Sequence, residues 1–186
     1  MDFESKGVYN WGMEKGIELD LFQSATHGVL PITKAIKHIK KFLEEDPNAE
    51  YSLVVGTDSH EKNSLKENNG SKNIGLVTAV LVHRKGFGGK YFWRRKEVSN
   101  IHNLREKIYA ETLESLSFAS GFIPMLRKEL NGKSPNYNLE IHIDVGQHGD
   151  TRDMIKEVVG MVTGNGFVAK TKPEAYGATY VADKHT

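Results

Sequence analysis

A chain of 186 residues, 38% of them hydrophobic and 26% charged, is long enough for one domain with a sizeable core and too short for two full lobes. The absence of cysteine excludes disulfide scaffolds, thiolate zinc sites, iron–sulfur clusters and cysteine nucleophiles together. With 25 Lys plus Arg against 24 Asp plus Glu there is no global bias toward a polyanion, but the charge is unevenly spread, with a balance of −4 over residues 1–58 and +6 over residues 83–107.

No apolar run reaches the roughly 18 residues of a membrane span. The N-terminal MDFESKGVYNW is acidic and polar where a secretory signal is basic and then apolar. A cytoplasmic protein with no membrane partner is therefore expected.

Residues 1–30 show no sustained period and read as an irregular arm with Leu21 and Phe22 as anchors. From Ile32 to Glu45, apolar Ile36, Ile39, Phe42 and Leu43 recur at helical spacing until Asp46-Pro47-Asn48 stops them. Tyr51 to Thr57 is an apolar, β-branched strand ending at Asp58, followed by a polar loop over 60–73. Ile74 to Arg84 and Lys90 to Val98 form an antiparallel hairpin around the Gly-rich turn at Lys85 to Gly89. Leu104 to Ala119 is helical by period, and Leu139 to Val145 alternates as a strand. A helix capped by Asp150 or Thr151 then runs to Gly164-Asn165-Gly166, Phe167 to Thr171 is a short strand, and Pro173 to Ala182 a last helix. This order predicts an α/β domain over 51–186 with a five-stranded mixed sheet, a three-stranded meander followed by alternating helices and strands, and helices on its faces. Residues 1–50 form an N-terminal arm and an amphipathic helix packing on that core.

Two strands end in an aspartate, Asp58 and Asp144, and ligand chemistry in open α/β sheets collects outside strand ends. Asp is also a common turn-former, so either residue alone is ambiguous. Glu111 adds weight: at about 100° per residue from Leu104 it falls on the apolar face of its helix, whereas Glu106 and Glu114 fall on solvent positions. An ionised Glu on a buried face needs a cation, either a side chain such as Arg105 or a metal ion. Asp183 follows the apolar residues of the last helix but lies near the C-terminus, where a solvated end is common. The hairpin Arg84, Lys85, Lys90, Arg94, Arg95 and Lys96 interleaves bases with Tyr91, Phe92 and Trp93. The charges suit a nucleic-acid backbone; the aromatics are better explained by strand formation.

The motifs VVGTDSH at Val54 to His60, LREKIYAETLESL at 104–116, IHIDVGQHGDTRDMI at 141–155 and AKTKPEAYGATYVADKHT at 169–186 resemble the ribonuclease H-like superfamily and, more narrowly, its YkuK-type family of uncharacterised proteins. The resemblance implies a metal-dependent nuclease that hydrolyses phosphodiester bonds in RNA, RNA/DNA hybrid or branched DNA with two Mg²⁺ or Mn²⁺ ions. It implies that Asp58 bridges both ions, that Glu111 and Asp144 hold one and Asp183 the other, and that His148 shuttles a proton, with His60 and His185 as rivals. The alternative is a non-catalytic nucleic-acid or protein binding module that retains the fold.

Other readings fail. The loop after Asp144 is similar to the phosphate loop of actin-like kinases, which need a second lobe. A proofreading exonuclease needs an acid where His60 stands. Gly160, Gly164 and Gly166 close a helix rather than opening one, unlike a dinucleotide fingerprint.

Overall fold

The computed structural model describes residues 20–61, 72–133, 135–146 and 151–186. Its centre is a seven-stranded mixed sheet, two strands more than the sequence led us to expect. In chain order the elements are β1 (Leu21–Ser24), β2 (Gly28–Pro31), α1 (Ile32–Glu44), β3 (Tyr51–Glu61), β4 (Lys72–Arg84), β5 (Gly88–Ile101), α2 (Leu104–Leu130), β6 (Tyr137–His142), α3 (Ile155–Gly164) and β7 (Val168–Lys170). A 3-10 turn, Arg152–Met154, leads into α3; a π-helical stretch, Gly177–Ala182, and a 3-10 turn, Asp183–His185, end the chain.

The sheet order is β2-β1-β5-β4-β3-β6-β7. The antiparallel meander β3-β4-β5 and the parallel β6 and β7 are the five strands expected; β1 and β2 form a small hairpin added to the β5 edge through the pair Gln23↔Trp93. That hairpin lies in the stretch read as an irregular arm. Four-residue strands are too short for alternation to show, and the turn before β2 needs a positive φ at Gly28, 66°, that glycine supplies without strain.

Strand alternation divides the sheet into two faces. One face presents Leu53, Val55, Val80, Val82 and Phe92 to α1, α2 and α3, whose buried residues Ile36, Phe42, Phe118, Phe122, Val158 and Val162 complete the main core. The other presents Val77, Ala79 and Trp93 to Ala182 of the C-terminal segment. Helix α2 begins at a side-chain cap: the Asn103 side chain accepts from the Glu106 amide at 2.9 Å, and the Glu106 carboxylate accepts from the amide of His102, one residue before the cap, at 2.8 Å. It runs eleven residues past Ala119, because Phe122, Ile123, Leu126 and Leu130 prolong the buried stripe while Pro124 falls on the exposed side. Strand β6 ends at His142, earlier than expected, and the helix expected from Pro173 begins instead at Gly177. Of the two caps expected for the helix that is α3, Asp150 lies outside the described residues, and Thr151 accepts a hydrogen bond from the Gly146 amide at 3.3 Å. No helix among the described residues is long and apolar enough to cross a membrane.

Candidate functional site

The parallel ladder between β3 and β6 ends at Gly56↔His142. Beyond it β3 continues, paired only to β4, as far as Glu61, while the chain after β6 turns toward β7: the Ile143 amide donates to the Lys170 carbonyl at 2.9 Å and the Lys172 amide to the Val145 carbonyl at 2.9 Å. The sheet therefore opens between the two strands, and Asp58 and Asp144 each stand two residues past the last pair, one on either lip.

Asp58 is in register with Val77 and Arg95, so its side chain leaves on the face that carries the C-terminal segment. Burial pushes its carboxyl above the ordinary range, and the charges of Asp144 and Asp183 push the same way, against the Ser59 amide and Lys107. Glu111 reaches the opening from α2 on the opposite face. It is 4% exposed, its Oε1 accepts a 2.6 Å hydrogen bond from Ser59 Oγ, and Lys107, one helical turn earlier, approaches to 3.7 Å. Burial raises its pKa to about 7, with Ser59 and Lys107 opposing and Asp58 and Asp144 adding to the rise. Asp144 is paired with Lys172 at 2.8 Å. Asp183 is exposed, and its charge acts on both Asp58 and Lys172. Asp58 thus feels the charges of Asp144 and Asp183, and Glu111 those of Asp58 and Asp144, across the opening.

Beneath them lies a line of buried hydroxyls. Ser115 Oγ donates to Thr57 Oγ1 at 2.8 Å, and Thr57 Oγ1 stands 3.1 Å from Thr78 Oγ1. With Ser59, these groups fix α2 against β3 and so set where Glu111 enters.

The helical-wheel choice of Glu111 as the core-facing glutamate agrees with its burial, but two of its companions need correction. Glu114 is buried, 6% exposed, because α2 lies flat on a sheet whose β5 sends two cations toward it: Arg94 pairs with it at 2.5 Å and Lys96 at 3.3 Å. Arg105, the side-chain alternative to a metal ion as partner for Glu111, instead bridges Glu157 and Tyr109. Ser59, Lys107 and Lys172 were not read as partners of the carboxylates. Lys107 was detectable as an i,i+4 neighbour of Glu111; nothing local in the sequence marks Lys172.

The histidines separate. His148 lies outside the described residues. His60 shares the face of Asp58 and packs over Gly75, with its Nδ1 buried and lacking a hydrogen-bond partner among the described residues. His185 stacks on Trp93 with ring centroids 3.7 Å apart, a role in anchoring the chain end.

The six hairpin cations do not share one face. Arg84, Lys85 and Lys90 sit at the hairpin tip, level with the start of β3 and roughly 20 Å from Asp58 along the strands. There Arg84 lies over Phe42 and Phe87, Lys85 pairs with Glu50 at 3.3 Å and Lys90 with Glu45 at 3.7 Å. Arg94 is 11% exposed and is held by Asp20 and Glu114 on the helical face. Arg95 points to the other face and donates to the His185 carbonyl at 2.6 Å.

The donor set suits a hard divalent cation: oxygens alone, with Asp58 half-buried and making no ion pair of its own among the described residues. Among the described residues, however, no three acidic or histidine side chains already converge as a metal cage. Lys172 and the Ser59–Lys107 pair engage Asp144 and Glu111 in its place.

A family model described as ribonuclease H-like matches residues 34–186. The chain is also 30% identical over 174 residues to the "Uncharacterized protein YkuK" of Bacillus subtilis (strain 168), an alignment covering 89% of this chain and 96% of that protein. No solved structure matches it significantly.

Proposed function

Because the chain belongs to the ribonuclease H-like family, we propose that it is a divalent-metal-dependent nuclease acting on phosphodiester bonds, with Asp58, Glu111, Asp144 and Asp183 as its metal-holding carboxylates. The observation that carries this reading is the electrostatic coupling of Asp58 to Glu111, Asp144 and Asp183, acids from four separate elements around the β3–β6 opening, with Glu111 buried and raised to about 7. A core that keeps such mutually repelling groups gives up stability, which a bound cation would restore.

When bound, a pair of Mg²⁺ or Mn²⁺ ions would supply activation of water and neutralisation of the leaving oxygen. The protein's own part is placement. Asp58 and Asp144 flank the opening, the Ser59 hydroxyl orients the Glu111 carboxylate, and the docked C-terminal turn brings Asp183 to the rim. Ionised Glu111 is a ligand and protonated Glu111 is not, so cation affinity should climb as pH rises through about 7.

A binding module that keeps the fold without catalysis is favoured by the way Lys172 engages Asp144, and Ser59 with Lys107 engages Glu111, which satisfies two of the acids without a metal. Cleavage assays separate the two readings. With Mn²⁺ or Mg²⁺ the protein should cut at least one of single-stranded RNA, an RNA/DNA hybrid or a branched DNA. Glu111→Gln should abolish that activity, and Glu106→Gln, at a solvent-facing cap, should leave it nearly intact. Metal-independent cleavage, or none from any of the three substrates, would favour the binding module.

A further inference from the structure

Of the two lysines at the carboxylate cluster, Lys107 lies one turn from Glu111 on the same helix, as any i,i+4 pair does. Lys172 comes from elsewhere in the fold. The backbone bonds on either side of Asp144, Ile143 to Lys170 and Lys172 to Val145, lace the chain after β7 against the chain after β6 and hold the base of the lysine beside the aspartate. The ammonium lies 2.8 Å from Asp144 Oδ1, and Asp144 followed by Asp58 and Asp183 strengthens its hold on its proton. With side chains 48% and 26% exposed, Lys172 and Asp144 meet at the mouth of the opening, where the lysine can swing into water without disturbing the core.

We infer that Lys172 is the resident counter-ion of the cluster, and that its ammonium must leave Asp144 before that carboxylate can hold a divalent cation. This rests on the metal-binding reading above and adds to it a residue that sets cation affinity. When all are ionised, four carboxylates and the two ammoniums of Lys107 and Lys172 leave two negative charges, an excess that still attracts divalent cations. The lysine therefore weakens metal binding without removing the demand for it, and protects the metal-free protein from the full repulsion of its acids. A surface ion pair with no such role would cost little to remove and would leave metal affinity alone.

The test is titration of the purified full chain with MnCl₂ alone, followed by Mn²⁺ electron paramagnetic resonance and by the melting temperature. Lys172→Met, which keeps the stem and removes the charge, should lower the apparent Kd for Mn²⁺ by about tenfold, the effect of deleting one unit charge within contact range. Lys172→Arg, which keeps the charge, should stay within about twofold of the parent, because the competing cation persists. Should Lys172→Met not fold, Lys172→Gln carries the same expectation. Equal affinities in the parent and the neutral variant would overturn the inference and leave the metal-binding reading standing. No Mn²⁺ binding by any of them would overturn both.

Discussion

Glu111 concentrates the electrostatic cost of the cluster in one side chain. Its folded pKa of about 7 against an ordinary 4.5 means that between these values the native protein keeps a proton that the unfolded chain has released. The contribution of Glu111 to stability is therefore full below about pH 4.5, falls as pH rises to about 7, and is level above that. His142 works in the opposite direction: burial lowers its pKa, so the unfolded chain takes up the proton first and stability falls as the solution is acidified. The parent's pH profile in a chelating buffer mixes both slopes, and the difference between it and Glu111→Gln isolates the glutamate. That variant should gain on the parent through the window and be more stable at pH 8 by on the order of 3 kcal/mol. Parallel profiles from chemical denaturation would mean that Glu111 is not held protonated by its surroundings. The residue scale is also where sequence reading was most uneven. Periodicity found Glu111 because one helix face is a local property. It misjudged Glu114 because its partners Arg94 and Lys96 arrive from β5, a tertiary fact that no helical wheel contains.

The element that completes the cluster is the C-terminal segment, which two clamps dock onto the β3–β5 face. At its start the Gly177 amide donates to Nδ1 of buried His142 at 2.9 Å, which assigns the ring proton to Nε2, 3.0 Å from the Glu140 carboxylate. At its end His185 stacks on Trp93 and its carbonyl accepts from Arg95. Asp183 sits between the clamps, so the aromatics of the hairpin act on the site through the chain they hold. A Cβ on Gly177 would come within 2.3 Å of Val54 Cγ1 and 3.2 Å of His142 Nδ1. Gly177→Ala should therefore cost about 1–3 kcal/mol and lift the start of the segment. Amide hydrogen exchange should show lost protection over Gly177–Ala182 with α2 unchanged; unaltered protection and melting temperature would refute this close approach. Long periodic elements such as α1, β3, β4 and the first half of α2 were legible because their burial repeats with a fixed period. The β1–β2 hairpin and the early end of β6 were not, since the first is too short to show a period and Ile143 and Val145 stay apolar after leaving the ladder. Those two apolar residues bury themselves in the main core while backbone bonds to Lys170 and Lys172 replace the strand pairing.

At the scale of the whole molecule, the metal-binding reading links folding to cation binding, because it needs the carboxylates of β3, α2, the loop after β6 and the C-terminal turn to act together, which only the folded chain allows. Asp58 lies near the end of the first meander strand and Asp183 in the last turn of the chain, so an unfolded chain offers no comparable site. A cation that binds only the native state adds RT ln(1 + [L]/Kd), about 2.7 kcal/mol at a hundredfold excess over Kd. For a domain of this length a gain of that size should raise the melting temperature by roughly 5–10 °C. Mn²⁺ should act at lower concentration than Mg²⁺, since it binds oxygen and nitrogen donors more readily and gives up water more easily. Asp58→Asn should behave in two opposed ways that a merely destabilised variant would not reproduce. Removing a half-buried carboxylate whose pKa is raised by burial and by its acidic neighbours should hold or increase the metal-free melting temperature. Removing the same oxygen donor should shrink the Mn²⁺-induced rise. A parent protein whose melting curve ignores millimolar Mn²⁺ would leave the four acids balanced by Lys107, Lys172 and solvent alone, and the fold would then be serving as a binding module.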